Sequence, residues 1–189
     1  LITQLIQENP IKFLFVSSQI VFLNDLPNQI YRMALTLMGH TLTPSFKIPI
    51  ELMAQTFLDS NPDEIKAIKA ASFRGIMFSD QVIRQQASYC INLILQIEKE
   101  EWSELFPALF EVASSDKYPD EAHLGAIYCF KNIISNKVPF QFIAEYLHIF
   151  YNFIILILSS DQFPSEIFYD ECFECYISIL NRLEAESLI

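Results

Sequence analysis

The sequence predicts an all-helical protein built from stacked antiparallel helix pairs, on three observations. Apolar residues recur at spacings of three and four along most of the chain, the signature of one helix face. Only 3 glycines occur in 189 residues and strand-like alternation is scarce, while 52% of residues are hydrophobic and 14% aromatic, enough for a sizeable core. Helix-opening signals also return at long, similar intervals, with second helices of successive pairs expected to begin near positions 81, 119 and 165. Those intervals, 38 and 46 residues, match helical repeats of about 40–47 residues once loop variation is allowed for.

In chain order, residues 1–8 read as the tail of a helix, ended by Asn9-Pro10 because Pro lacks an N–H and restricts its predecessor. A very apolar helix is expected over Ile11–Leu23, a turn at Asn24–Asn28, and a helix over Gln29–Thr41 whose inner face carries Ile30, Ala34, Leu37 and Thr41. Pro44 and Pro49 bracket a looser connection before a helix over Ile48–Leu58. Asn61-Pro62-Asp63-Glu64 is a complete start signal: a capping side chain, Pro at the first position and acids in the first turn. That helix is expected to run to about Phe78, with Ser79-Asp80 capping the next.

The stretch from Arg84 to Phe110 organises the rest. Ile83, Ala87, Cys90, Ile94 and Ile97 fall on one helix face, and Gln81, Gln85, Ser88, Asn92 and Gln96 on another that is entirely polar. A charged turn, Glu98-Lys99-Glu100-Glu101, leads to a second apolar helix opened by Trp102, Leu105, Leu109 and Phe110. Tyr118-Pro119-Asp120-Glu121 repeats the start signal, with Ala122, Ala126, Phe130 and Ile133 facing inward. Val138-Pro139 opens a further helix. Phe163-Pro164-Ser165-Glu166 opens the last, with Phe168, Cys172, Cys175, Ile179 and Leu183 in one line. No such helix can bury its apolar face alone, so each pair is expected to stack on the next. The predicted fold is a right-handed α-solenoid of about four HEAT-type repeats, with residues 1–189 forming a single segment of a longer solenoid.

Composition excludes several function classes. The net charge of -11 disfavours nucleic acid and suits a basic protein or peptide partner. Cys90, Cys129, Cys172 and Cys175 sit in apolar helical segments and read as buried reduced thiols. Cys172 and Cys175 form a lone C-x-x-C without the second ligand pair of a zinc site or the strand-to-helix context of a redox motif. The apolar run Val138–Leu158 carries Gln141, Glu145, His148 and Asn152 as a polar stripe, so it reads as an amphipathic helix and not as a membrane span. No signal peptide is read at Leu1-Ile2-Thr3, and without an initiator Met the chain is expected to be a trimmed piece. There is no G-x-S-x-G, Gly-rich phosphate loop or H-E-x-x-H, and His40, His123 and His148 lie in different repeats. No catalytic activity, metal or cofactor is expected.

One motif carries a family resemblance. An alanine-containing helix ending in Ile-x-Glu, a short turn, then W-x-E-L-x-P-x-L resembles the N-terminal arch of importin-beta-type nuclear transport receptors; the matching residues are Ala87, Ile97, Glu98, Trp102, Glu104, Leu105, Pro107 and Leu109. Flanking segments agree. NPIKFLFVSSQI followed by YRMALTLMGHTLT is similar to the family's second repeat, although Gly39 and His40 stand where the family often has Lys and Asn. Leu124-Gly125-Ala126-Ile127 is similar to the L-x-A-I/L of its next repeat.

The resemblance implies a nuclear-import role, between cytoplasm and nucleus and at the nuclear pore. It implies that second helices line a concave face gripping the GTP form of the small GTPase Ran, through Gln29 and Arg32, then Gln85, Ser88 and Asn92, then Glu121, Tyr128 and Asn132. It implies that Phe-Gly repeats of nucleoporins enter slots between outer helices, with Ile155 lining one, and that basic cargo or an adaptor is held by later repeats. The alternative from another class is a structural HEAT scaffold, such as a vesicle-coat or phosphatase subunit, that shares only the fold.

Overall fold

The computed structural model describes residues 6, 8–44, 48–98, 102–136, 138–159 and 166–186. Among these the secondary structure is helical, with no strand. The helices are α1 (Pro10–Phe22), α2 (Asn28–Leu42), α3 (Ile50–Leu58), α4 (Pro62–Gly75), α5 (Gln81–Glu98), α6 (Leu105–Ser114), α7 (Asp120–Ser135), α8 (Phe140–Leu158) and α9 (Glu166–Ala185). The charged turn at residues 99–101 and the Phe163-Pro164-Ser165 opening lie outside the described residues, as does most of the segment before Glu8.

Start signals act as their chemistry requires. The Asn9 side chain accepts from the Lys12 N–H at 3.0 Å, with Pro10 at the first helical position, and Asn61 does the same for Asp63 N–H at 2.9 Å ahead of Pro62. Asp80 Oδ1 accepts from Ile83 N–H at 3.1 Å and so caps α5. Two boundaries differ from the sequence reading. The helix expected to reach Phe78 ends at Gly75, where Ile76 N–H bonds to Phe73 O and Met77 N–H to Arg74 O, the tighter spacing of a closing turn. Trp102 belongs to a turn, its carbonyl accepting from Leu105 N–H at 3.2 Å, and α6 begins at Leu105.

The chain divides into two compact units, Leu1–Lys99 and Glu100–Ile189. In the first, α1 pairs with α2 and α4 with α5, while α1 also packs on α4 and α2 on α5. First helix meets first helix and second meets second. The short α3 lies against α5 through an apolar face that buries Met53 and Phe57. The core of this unit holds Leu14, Val21, Leu35, Met38, Leu42, Ile68, Ile83, Ala87 and Cys90. On α2 the buried centre is Tyr31, Ala34, Leu35, Met38 and Leu42; Ile30 and Leu37 of the expected stripe are only half-buried.

The second unit repeats the plan. α6 pairs with α7 and α8 with α9, and α7 packs on α9. α6 and α8 meet through rings: Phe106 stacks on Tyr146 at 4.5 Å between centroids, and Phe110 meets Phe150 and Phe153 edge-on at 6.0 and 5.4 Å. Along α8 the residues Ile143, Leu147, Phe150, Ile154 and Ile157 are buried while Gln141, Glu145, His148 and Asn152 are exposed, the amphipathic division read from the sequence. Among the described residues no helix is long and apolar enough to cross a membrane.

Candidate protein-binding face

The eight residues expected to line a binding face fall on second helices: Gln29 and Arg32 on α2, Gln85, Ser88 and Asn92 on α5, and Glu121, Tyr128 and Asn132 on α7. Their environments differ sharply. Gln29 and Glu121 are exposed, and Gln85, Tyr128 and Asn132 are half-buried.

Ser88 and Asn92 correct the sequence reading. They were expected on a wet stripe, yet Ser88 is 0% exposed and Asn92 4%. The cause is packing. α5 packs on α2, α3 and α4, and its burial extends beyond the Ile83–Ile97 seam to Ile91, Leu93 and Leu95 beside Ser88 and Asn92, while Gln85 and Gln96 stay half-buried. A buried polar side chain needs a partner, and Asn92 Oδ1 accepts from Gln96 Nε2 at 3.5 Å. Neither residue can meet a partner without α5 leaving its neighbours.

Arg32 is also spoken for. Its Nε donates to Asp80 Oδ1 at 3.2 Å and its Nη2 pairs with Asp80 Oδ2, while Asn28 Nδ2 donates to the same Oδ2 at 3.2 Å. The hydrogen bond from Arg32 holds the Asp80 carboxyl below its ordinary value, and that from Asp80 raises the guanidinium. Asp80 therefore caps α5 and ties it to α2 with one carboxylate.

In the second unit, Lys131 of α7 reaches Glu171 Oε2 at 2.5 Å and Glu174 Oε2 at 2.7 Å on α9, with its ammonium 5.1 Å from the Tyr128 ring centre. Burial alone would lower the Lys131 pKa, but the two carboxylates outweigh it and the net shift is upward. Ser135 Oγ lies 3.2 Å from Ser178 Oγ, and Arg182 donates to the carbonyls of Asn136 and Val138 at 3.1 and 2.9 Å. Sequence reading missed these α7–α9 links; the signal for them was the Glu171/Glu174 pair, one helical turn apart opposite a lone Lys. Ile155, expected to line a Phe-Gly slot, is 37% exposed on α8, and Tyr151 of the same helix meets Tyr176 of α9 at 5.7 Å.

The four thiols are buried and none forms a disulfide. Burial pushes Cys90 and Cys172 up to about 12 and Cys175 higher still, and Cys90 Sγ donates to Leu35 O at 3.4 Å. Thiols so raised are poor nucleophiles and poor metal ligands. No cluster of His, Cys, Asp and Glu that could hold a metal occurs among the described residues.

No family model, no curated protein and no solved structure matches this chain.

Proposed function

We propose that this chain is a segment of a right-handed HEAT-type solenoid that serves in nuclear transport, binding the GTP form of Ran through its second helices and nucleoporin Phe-Gly repeats through its outer helices. The observation that carries the reading is the like-on-like stacking within each unit, α1 on α4 and α2 on α5, then α7 on α9. Repeated helix pairs of this kind leave one row of helices free to read a partner. The importin-beta resemblance around Trp102–Leu109 supplies the partner's identity.

The face is narrower than the sequence stripe. Gln29, Gln85, Glu121, Tyr128 and Asn132 remain as contacts, Arg32 orients α2 against α5 through Asp80, and Ser88 and Asn92 belong to the packing. Ile155 has the exposure that a Phe-Gly contact needs. The place of work under this reading is the nuclear pore and both compartments it joins.

The test is titration of the chain with Ran loaded with a non-hydrolysable GTP analogue or with GDP. The GTPase's switch segments differ between the two states, so a surface fitted to one rejects the other. The expected preference for the GTP form is about tenfold or more, ~1.4 kcal/mol, and Gln29→Glu with Glu121→Lys should weaken it. Equal affinity for both states, or none for either, overturns the transport reading and leaves a structural helical scaffold.

A further inference from the structure

We propose that Tyr89, seated on Gly39, is the anchor of the second-helix face in the first unit, and that an uncharged apolar side chain of the partner packs on its ring. The occupant is the GTPase already proposed for that face, so the anchor rests on the transport reading. Tyr89 is 44% exposed, yet its ring is held from two sides. It lies over α2 where Gly39 has no side chain: a Cβ there would stand 3.0 Å from Tyr89 Cδ1 and 3.3 Å from Cε1. Thr43 Oγ1 donates its one proton to Gly39 O at 2.7 Å, so the Tyr89 hydroxyl, 3.0 Å away, is the donor to Thr43. A glycine weakens a helix relative to alanine, and at Gly39 the missing methyl is what lets the ring approach. Gly39 itself is buried and cannot meet a partner, so it is a positioning residue for Tyr89. An aromatic fixed before binding gives up little freedom when a partner packs on it, and Tyr is among the residues enriched at interface anchors.

Place and charge distinguish Tyr89 from an incidental surface ring. It sits on the α2 side of α5, within the first unit, one turn from Gln85 of the same face. Val82, two turns before it on the same side of α5, is exposed, and so is Met33 of α2. None of the exposed residues of α2 and α5 is Asp, Glu, Lys or Arg. Arg32 and Asp80 answer each other, and Arg84 donates to the Phe78 and Ser79 carbonyls at 2.8 Å each. A charged side chain set against such a surface would lose hydration and gain no counter-charge. An aliphatic or aromatic one buries area on Tyr89 and Val82 instead. The contact received here is therefore neutral, unlike the one that meets exposed Glu121 in the second unit.

The test is titration of the whole chain and its variants with Ran carrying a non-hydrolysable GTP analogue, with the GDP form alongside. Tyr89→Ala should weaken binding of the GTP form about thirtyfold or more. Tyr89→Phe keeps the ring and loses only the Thr43 tether, so it should cost about threefold or less. Gly39→Val fills the seat; it should weaken binding by the parent yet add nothing to Tyr89→Ala. Val82→Asp sets a charge on the neutral surface without touching the seat and should weaken binding as well. Circular dichroism checks each fold; should Tyr89→Ala or Gly39→Val unfold, Val82→Asp decides. A parent with no preference between nucleotide forms overturns the transport reading and the anchor together. A parent that prefers the GTP form, with folded Tyr89→Ala or Val82→Asp binding as it does, overturns the anchor alone. So does a Gly39→Val loss that adds in full to that of Tyr89→Ala, since Gly39 would then act through helix packing and not through the ring.

Discussion

Gly75 lets the end of α4 sit tightly against α5, and adding one methyl there tests the packing directly. A Cβ at Gly75 would stand 2.5 Å from the Ala87 Cβ and 3.2 Å from Leu35 Cδ1. Leu35 can shift its tip, but the Ala87 Cβ has no rotamer through which to escape. Carbon atoms settle at roughly 3.5–4.0 Å, so the two helices must part by about 1 Å. α5 is gripped by α2 and α3 as well as α4, so that movement loosens contacts beyond the site. Overpacking of this kind costs about 1–3 kcal/mol. The opposing term is the better helix propensity of Ala, at most about 1 kcal/mol and smaller at the last residue of α4. The steric term wins, and Gly75→Ala should lose about 1–2 kcal/mol in urea unfolding followed by far-ultraviolet circular dichroism. Ala87→Gly alone should cost about 1 kcal/mol, yet in the Gly75→Ala background it should recover most of the loss. The coupling between the two changes is then about 1 kcal/mol or more. A Gly75→Ala protein as stable as the parent, or a double variant whose losses simply add, would refute the close approach.

Two further outcomes follow from the charged and thiol groups. Asp80→Ala removes the α5 cap and should cost about 1 kcal/mol at neutral pH. Because Arg32 holds the folded-state carboxyl below its ordinary value, Asp80's contribution is fully present above the unfolded-state value near ~3.9 and is lost as pH falls through the folded value. The stability gap between parent and Asp80→Ala should therefore narrow in acid, and a gap unchanged down to strongly acidic pH would show that the Arg32 pairing is not formed. Cys90, Cys129, Cys172 and Cys175 should resist a thiol reagent at mildly alkaline pH until the chain is denatured, and labelling of the folded protein at the rate of a free thiol would contradict their burial.

Local chemistry was the legible part of this molecule. Asn9-Pro10, Asn61-Pro62 and Asp80 each announce a helix start, because a capping side chain and a proline act within a few residues of themselves. The division of α8 into buried and exposed sides was equally plain, since one side of that helix faces solvent and a period of three to four shows it. α5 hid its environment for the opposite reason. A polar stripe on an isolated helix reads as wet, but packing buries Ser88 and Asn92 at its centre, and nothing within α5 itself encodes the neighbours that do so. The tie from Arg32 to α5 was not legible for a comparable reason: its partner, Asp80, lies 48 residues away and already had a local task. Trp102 looked helical because it keeps the spacing of Leu105 and Leu109, yet spacing does not tell a helix residue from one in the turn before it.

The connections between like helices differ in kind between the two units, and this gives each a different mechanical character. In the first unit both rows are pinned, α1 to α4 by Lys12–Glu64 at 3.1 Å and α2 to α5 by Arg32–Asp80. Two fasteners on two rows oppose sliding and twisting together, whatever their modest worth in free energy. Among the described residues of the second unit, the directional bonds between like helices gather on one row: Lys131 with Glu171 and Glu174, Ser135 with Ser178, and Arg182 with Asn136 and Val138 join α7 and the turn after it to α9. The α6–α8 row is joined instead by ring faces and edges, which keep contact while they slip. Under load the second unit should behave as a hinged leaf spring, stiff along its bonded row and yielding along its lubricated one.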